Sequence, residues 1–152
     1  PLLFQKDRAV FRRYYLVYKV HKVFKVQKVK SMGKIEKFED IAVWQEARQL
    51  VGGIYELFRE SRDYAFRDQI QRAAVSVMNN IAEGYERKGN KEFSKFLYIA
   101  KGSCAEVRSM LYIAVDLDYA DKDKCSALTE MSLRISRMLS SFIKTLYQPY
   151  KP

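Results

Sequence analysis

Between Phe93 and Ala114 the apolar residues Phe93, Leu97, Ala100, Cys104, Val107, Leu111 and Ala114 follow one another at steps of 4, 3, 4, 3, 4 and 3. Only an α-helix gathers residues at that spacing onto one face, and a face this long needs other helices to cover it. Three further segments keep the same rhythm. Trp44, Ala47, Val51, Ile54 and Phe58 predict a helix over 40–60, with Asp40 as N-cap and a local weakness at Gly52-Gly53. Phe66, Ile70, Ala73, Val77, Ile81 and Gly84 predict a second over 65–84, with Gly84 and Gly89 bracketing its stop. The third helix begins after Asn90, read as its N-cap, and runs to about 118. Leu128, Met131, Ile135, Met138 and Phe142 predict a fourth, from after Asp121 to about 147, with Pro149 barring continuation. Four long helices joined by short polar links predict an all-α, antiparallel up-down-up-down four-helix bundle over 38–148.

The chain's opening does not share this pattern. Lys-Val recurs at every third residue through Lys19, Lys22, Lys25 and Lys28, a period that suits neither a strand nor an amphipathic helix. Residues 1–31 carry nine of the 28 basic side chains and one of the 18 acidic ones, which leaves 19 and 17 for the remainder. The whole-chain net charge of +10 is therefore mostly that of this segment. Three readings stand open: a basic arm that grips phosphates, a β-prone or helical addition to the domain, or sequence upstream of a natural start at Met32. The segment does not read as a secretory signal, because lysines interrupt every apolar stretch. No uncharged apolar run approaches the roughly 18 residues of a membrane span. A soluble, cytoplasmic protein is the expectation, with Cys104 and Cys125 packed as small hydrophobes.

The second helix also carries Gln69, Arg72, Ser76, Asn80 and Glu83 at steps of 3, 4, 4 and 3, a polar stripe beside the apolar one. Ser103 and Glu106 on the third helix have the pitch to face part of it. A solvated surface is the plain reading; a partly buried hydrogen-bond network that fixes helix register or a subunit contact is the sharper one.

These residues carry a resemblance. "FEDIAVWQEARQL" (38–50), "FRDQIQRAAVSVMNNIAEGYER" (66–87) and "KEFSKFLYIAKGSCAEVRSMLYIA" (91–114) resemble the 23S rRNA intervening-sequence proteins. The match centres on Gln69, Arg72, Ser76, Asn80-Ile81-Ala82-Glu83-Gly84, Phe96-Leu97, Ala100, Gly102-Ser103 and Glu106, and spans about 38–147. Cys104-Ala105 replaces a bulkier pair, and Asp118-Tyr119 stands where a Gly-Tyr turn is usual. The resemblance implies a small bacterial bundle, often encoded within insertions in large-subunit ribosomal RNA genes. It also implies kinship with the accessory variability protein of diversity-generating retroelements, a pentameric bundle thought to bind nucleic acid, and so a possible pentamer here.

The chemistry of the residues favours binding over catalysis. The one histidine, His21, lies in the repeat segment, so the domain has no Ser-His or Cys-His pair and no Glu-x-x-His motif for a di-iron centre. No Gly-rich phosphate loop is present. The expectation is a protein without catalytic residues, cofactor, metal or small-molecule substrate. The turn after the second helix holds Arg87, Lys88, Lys91 and Lys95 with Tyr85 and Phe93 interleaved, and Lys101 and Arg108 extend the charge along the third helix. Cations among aromatics suit RNA or another nucleic acid, although Glu86 and Glu92 make a solvated mixed-charge turn the plain alternative. Eight tyrosines beyond Met32 are too many for one small core, and Tyr98 and Tyr112, with Ile99 or Ile113, suggest a second seam for a homo-oligomer. A protein–protein scaffold without nucleic acid is the competing function.

Overall fold

The computed structural model describes residues 35–87 and 89–147. The readings of 1–31 and of Met32, and those of His21, Lys88, Pro149 and Tyr150, fall outside these residues. After a 3-10 turn at Phe38–Asp40 come helices α1 (Ala42–Leu57), α2 (Tyr64–Glu86), α3 (Asn90–Asp116) and α4 (Lys122–Tyr147). The links 58–63, 87–89 and 117–121 are too short to let consecutive helices run parallel. Contacts join α1 to α2, α2 to α3, α3 to α4 and α4 back to α1, with none across either diagonal. The fold is an antiparallel up-down-up-down four-helix bundle.

All seven residues of the α3 register, Phe93 to Ala114, are buried. On α1 the buried line is Val43, Ala47, Leu50 and Ile54, continued by Phe58, while the expected Trp44 and Val51 are half-buried flanks. On α4 it is Cys125, Leu128, Ser132, Ile135, Leu139 and Ile143, and Met131, Met138 and Phe142 pack beside it. Each helix touches two neighbours, so its buried sector is wider than one 3-4 line, and a single line drawn through the sequence catches one edge of it. Burial pushes the Cys104 thiol up to about 11 and also raises that of Cys125; both are free cysteines.

The helix ends correct three expectations. Asp40 does not cap α1: it lies in the 3-10 turn, and the N-cap is Ile41, with no side-chain hydrogen bond. Here the entry is fixed by packing, since Ile41 is buried and Phe38 meets Trp44 edge-on with ring centroids 5.1 Å apart. Asn90 is the first residue of α3, after Gly89 at φ 104°, and its side-chain amide donates to the Leu146 carbonyl at 2.8 Å. That bond ties the α2–α3 turn to the end of α4. Gly84 does not stop α2, which runs on to Glu86; it is buried where α2 meets α3.

The remaining ends follow the usual chemistry. Asp63 caps α2 by accepting from Phe66 N at 2.9 Å, a bond that holds its carboxyl below the ordinary range, aided by the Tyr119 hydroxyl. Asp121 accepts from Lys124 N at 3.0 Å at the start of α4. At the end of α3, Asp118 adopts φ 54°, and the bonds Tyr119 N to Ala114 O and Asp118 N to Val115 O form a Schellman closure. Aspartate tolerates that left-handed conformation better than most residues, so the turn survives without glycine.

A Cβ on Gly84 would lie 2.6 Å from Cβ of Phe96 and 2.9 Å from Cδ2 of Phe93. The Phe96 Cβ is fixed to the α3 backbone and cannot swing aside. Gly84→Ala should therefore force the helices apart and cost about 1–3 kcal/mol in urea unfolding. Nothing lies within 4 Å of the corresponding point at Gly52. Gly52→Ala should instead stabilise α1 by up to about 1 kcal/mol. Equal effects at the two sites would contradict this packing.

Candidate nucleic-acid interface and the polar seam

The polar stripe of α2 lies along its contact with α3. The Gln69 amide donates to the Glu106 carboxylate across the seam, and Arg72 Nη2 donates to Gln69 Oε1 at 2.6 Å. About two turns further along α2, Ser76 Oγ and Ser103 Oγ are 2.9 Å apart. The Asn80 amide donates to the carbonyl and hydroxyl of Ser76 at 2.8 and 3.0 Å, and Ser103 Oγ donates to the Ile99 carbonyl at 3.1 Å. Ser103 is buried, Ser76 and Asn80 are half-buried, and Arg72 and Glu106 are exposed. The stripe thus crosses to α3 at two hydrogen bonds, Gln69–Glu106 and Ser76–Ser103, while Arg72 and Asn80 bond within α2. Glu83 stands apart from it and pairs with Arg87 at 2.7 Å.

Two cations of the basic turn, Arg87 and Lys95, are paired with acids. Arg87 is held by Glu83 and lies over the Phe96 ring, 5.1 Å from its centroid. Lys95 binds Glu92 at 2.6 Å and holds that carboxyl below its ordinary range. The aromatic residues interleaved there face inward: Phe93 is buried, and Tyr85 packs edge-on against it and donates its hydroxyl to the Ile35 carbonyl at 2.9 Å. Neither ring is free to stack on a base. Lys91 is exposed, and no acidic group among the described residues bridges it.

Lys101 and Arg108 occupy a different environment. Ser94, Lys101 and Arg108 recur at steps of seven on the flank of α3 that faces α4, where Ser94 is buried and both cations are half-buried. The α4 side is located by Ser132 Oγ, which donates to the Cys104 carbonyl at 3.0 Å. Arg108 lies close enough to favour the Cys104 thiolate electrostatically. Its Nη1 is buried and has no hydrogen-bond partner among the described residues. No salt bridge among those residues engages Lys101 or Arg108. An unpaired guanidinium nitrogen out of water is costly, and this flank keeps both positive charges without a bridging acid among the described residues.

The register between α3 and α4 also brings in residues that the sequence reading missed. The contacts Asn90–Leu146 and Cys104–Ser132 are 14 residues apart on both helices, so one antiparallel register holds between them. It sets Arg137 level with Ile99 and Lys144 level with Glu92. Both are exposed cations on the outer side of α4. The seven-residue spacing of Arg137 and Lys144 was legible, but their level along α3 was not, because it depends on pairing two separate helices.

Among the described residues no three His, Cys, Asp or Glu side chains gather as a metal-binding group, and no helix is long and apolar enough to cross a membrane.

Comparison with known proteins agrees with this geometry. A solved structure, a protein of unknown function from the S23 ribosomal protein family of Bacteroides thetaiotaomicron VPI-5482, superposes with a TM-score of 0.63 at 23% identity. The match covers 67% of this chain and 98% of that one, and it shows the shared fold. None of the curated proteins matches the chain. The family model described as 23S rRNA-intervening sequence protein matches residues 39–141, from the 3-10 turn into the last two turns of α4. The chain belongs to the 23S rRNA-intervening sequence protein family.

Proposed function

We propose that this bundle is a non-enzymatic, self-associating protein that binds RNA or another nucleic acid through the cations of α3. The observation that carries the reading is the α4-facing flank of α3. There Lys101 and Arg108 are half-buried without an acidic partner among the described residues, and one Arg108 nitrogen is orphaned. A polyanion neutralises these cations and gains from counterion release. The turn cations Arg87 and Lys95, already paired with Glu83 and Glu92, contribute less, and Lys91 extends the field.

Self-association is supported by the opposite flank of α3. Ile99, Ile113 and Leu117 are exposed there. Glu106, which belongs to the same seven-residue series as Ile99 and Ile113, reaches Gln69, so this series leans toward α2. Ile99 and Ile113 thus flank a carboxylate already engaged by Gln69, and exposed apolar groups beside satisfied polar ones suit a subunit contact.

The Lys-Val repeat would bind polyanions by itself, so the test uses the full chain with Lys19, Lys22, Lys25 and Lys28 replaced by glutamine. Its affinity for a single-stranded oligonucleotide should fall steeply as salt rises. Lys91→Gln with Lys101→Gln should flatten the slope of log K against log salt by about 1.4, roughly 0.7 for each lost phosphate contact. Absence of binding, or a salt-independent affinity, would leave the scaffold function in its place. Sedimentation velocity checks the assembly: Ile99→Lys with Ile113→Lys should convert an oligomer to monomers, and an unchanged size would place the contact elsewhere.

A further inference from the structure

The outer side of α3 carries two adjacent seven-residue series with different neighbours. Ile99, Glu106 and Ile113 lean toward α2, as the bond from Gln69 to Glu106 shows. Tyr98, Ala105 and Tyr112 lie four residues beyond Ser94, Lys101 and Arg108, the series that faces α4. Tyr98 and Tyr112 are 58% and 63% exposed, and unlike Tyr85 and Tyr119 neither hydroxyl is engaged by the described residues. They are separated by 14 positions, about 21 Å along the helix. Between them run Lys101 and Arg108 from α3, and the register sets Arg137 and Lys144 of α4 level with Ile99 and Glu92, at the Tyr98 end. Glu130 continues the Arg137–Lys144 series at the Tyr112 end, so the positive charge concentrates toward Tyr98.

From this alternation we infer that the α3/α4 face is a track for single-stranded nucleic acid, with bases stacked on Tyr98 and Tyr112 and the backbone on Lys101, Arg108, Arg137 and Lys144. The inference rests on the nucleic-acid function proposed above and adds the strandedness of the ligand and the place of its bases. Exposed flat rings flanked by cations satisfy both halves of an unpaired strand, its π-faces and its phosphates. A duplex hides its base faces and would use the cations alone. Charge complementarity argues against a second copy of the chain on this face, because an α3/α4 face turned on itself would bring Lys101 and Arg137 toward their own like charges.

The test uses a short fluorescent oligouridylate and an RNA duplex of equal length, with the full chain carrying the glutamine-substituted repeat. Tyr98→Ala with Tyr112→Ala should weaken oligouridylate binding by about tenfold or more, without changing its salt slope and without affecting the duplex. Tyr98→Phe with Tyr112→Phe should retain the parent affinity, since the ring and not the hydroxyl is required. Arg137→Gln with Lys144→Gln should flatten the salt slope for oligouridylate by about 1.4. If the alanine variant binds oligouridylate as the parent does while Lys91→Gln with Lys101→Gln still weakens it, the track is wrong and the nucleic-acid function stands. If the parent binds neither probe, both fall together.

Discussion

The close approach of α2 and α3 sets the rest of the structure. Gly84 lets the α3 backbone come to the α2 backbone at Phe96, and Ser76 and Ser103 meet one helical stretch further along. Small side chains permit that distance and hydroxyls fix the register, since a shift of either helix would leave Ser103, which is buried, with fewer partners. With this seam fixed, the short links determine where α1 and α4 lie. The Asn90–Leu146 bond then closes the end of the bundle that holds the α2–α3 turn.

One consequence is that α3 offers two outer flanks of unlike character. Toward α2 it is apolar at Ile99 and Ile113 with a hydrogen-bonded border. Toward α4 it is cationic and aromatic. Where charge lies matters more than how much there is. The domain beyond residue 31 has only two more basic than acidic side chains, and in the turn richest in cations Arg87 and Lys95 are engaged by Glu83 and Glu92. Exposed pairs of that kind contribute only about 0–1 kcal/mol to stability, but they flatten the local field. Lys101 and Arg108 lack such partners among the described residues, and Arg108 is partly removed from water, where an anion is worth more.

Most of the fold was legible in the sequence, because a bundle records its buried faces as a 3-4 rhythm. The α3 line caught every apolar residue that α3 buries, but not Ser94. The α1 and α4 lines were displaced toward one edge and missed Val43, Leu50, Ser132, Leu139 and Ile143. A serine in the core has no apolar signature; Ser132 is there because it can donate to the Cys104 carbonyl. Gly84 looked like a helix stop because glycine's backbone freedom and its lack of volume leave the same letter in the sequence. The polar stripe was legible as a stripe, and Ser103 and Glu106 do face it. The candidate nucleic-acid site was the least legible part. Counting cations along the chain favoured the turn, whereas pairing and burial direct attention to the α4-facing flank of α3, and Arg137 and Lys144 enter only once the register of two distant segments is known.

The most direct test of this account is to map where nucleic acid touches the protein. Ultraviolet cross-linking of the full chain to oligouridylate, followed by peptide mass spectrometry, reports the residues against which bases stack. The account predicts adducts on the α3 peptides that contain Tyr98 and Tyr112. Adducts confined to α1, to α2 or to the Lys-Val repeat would contradict it.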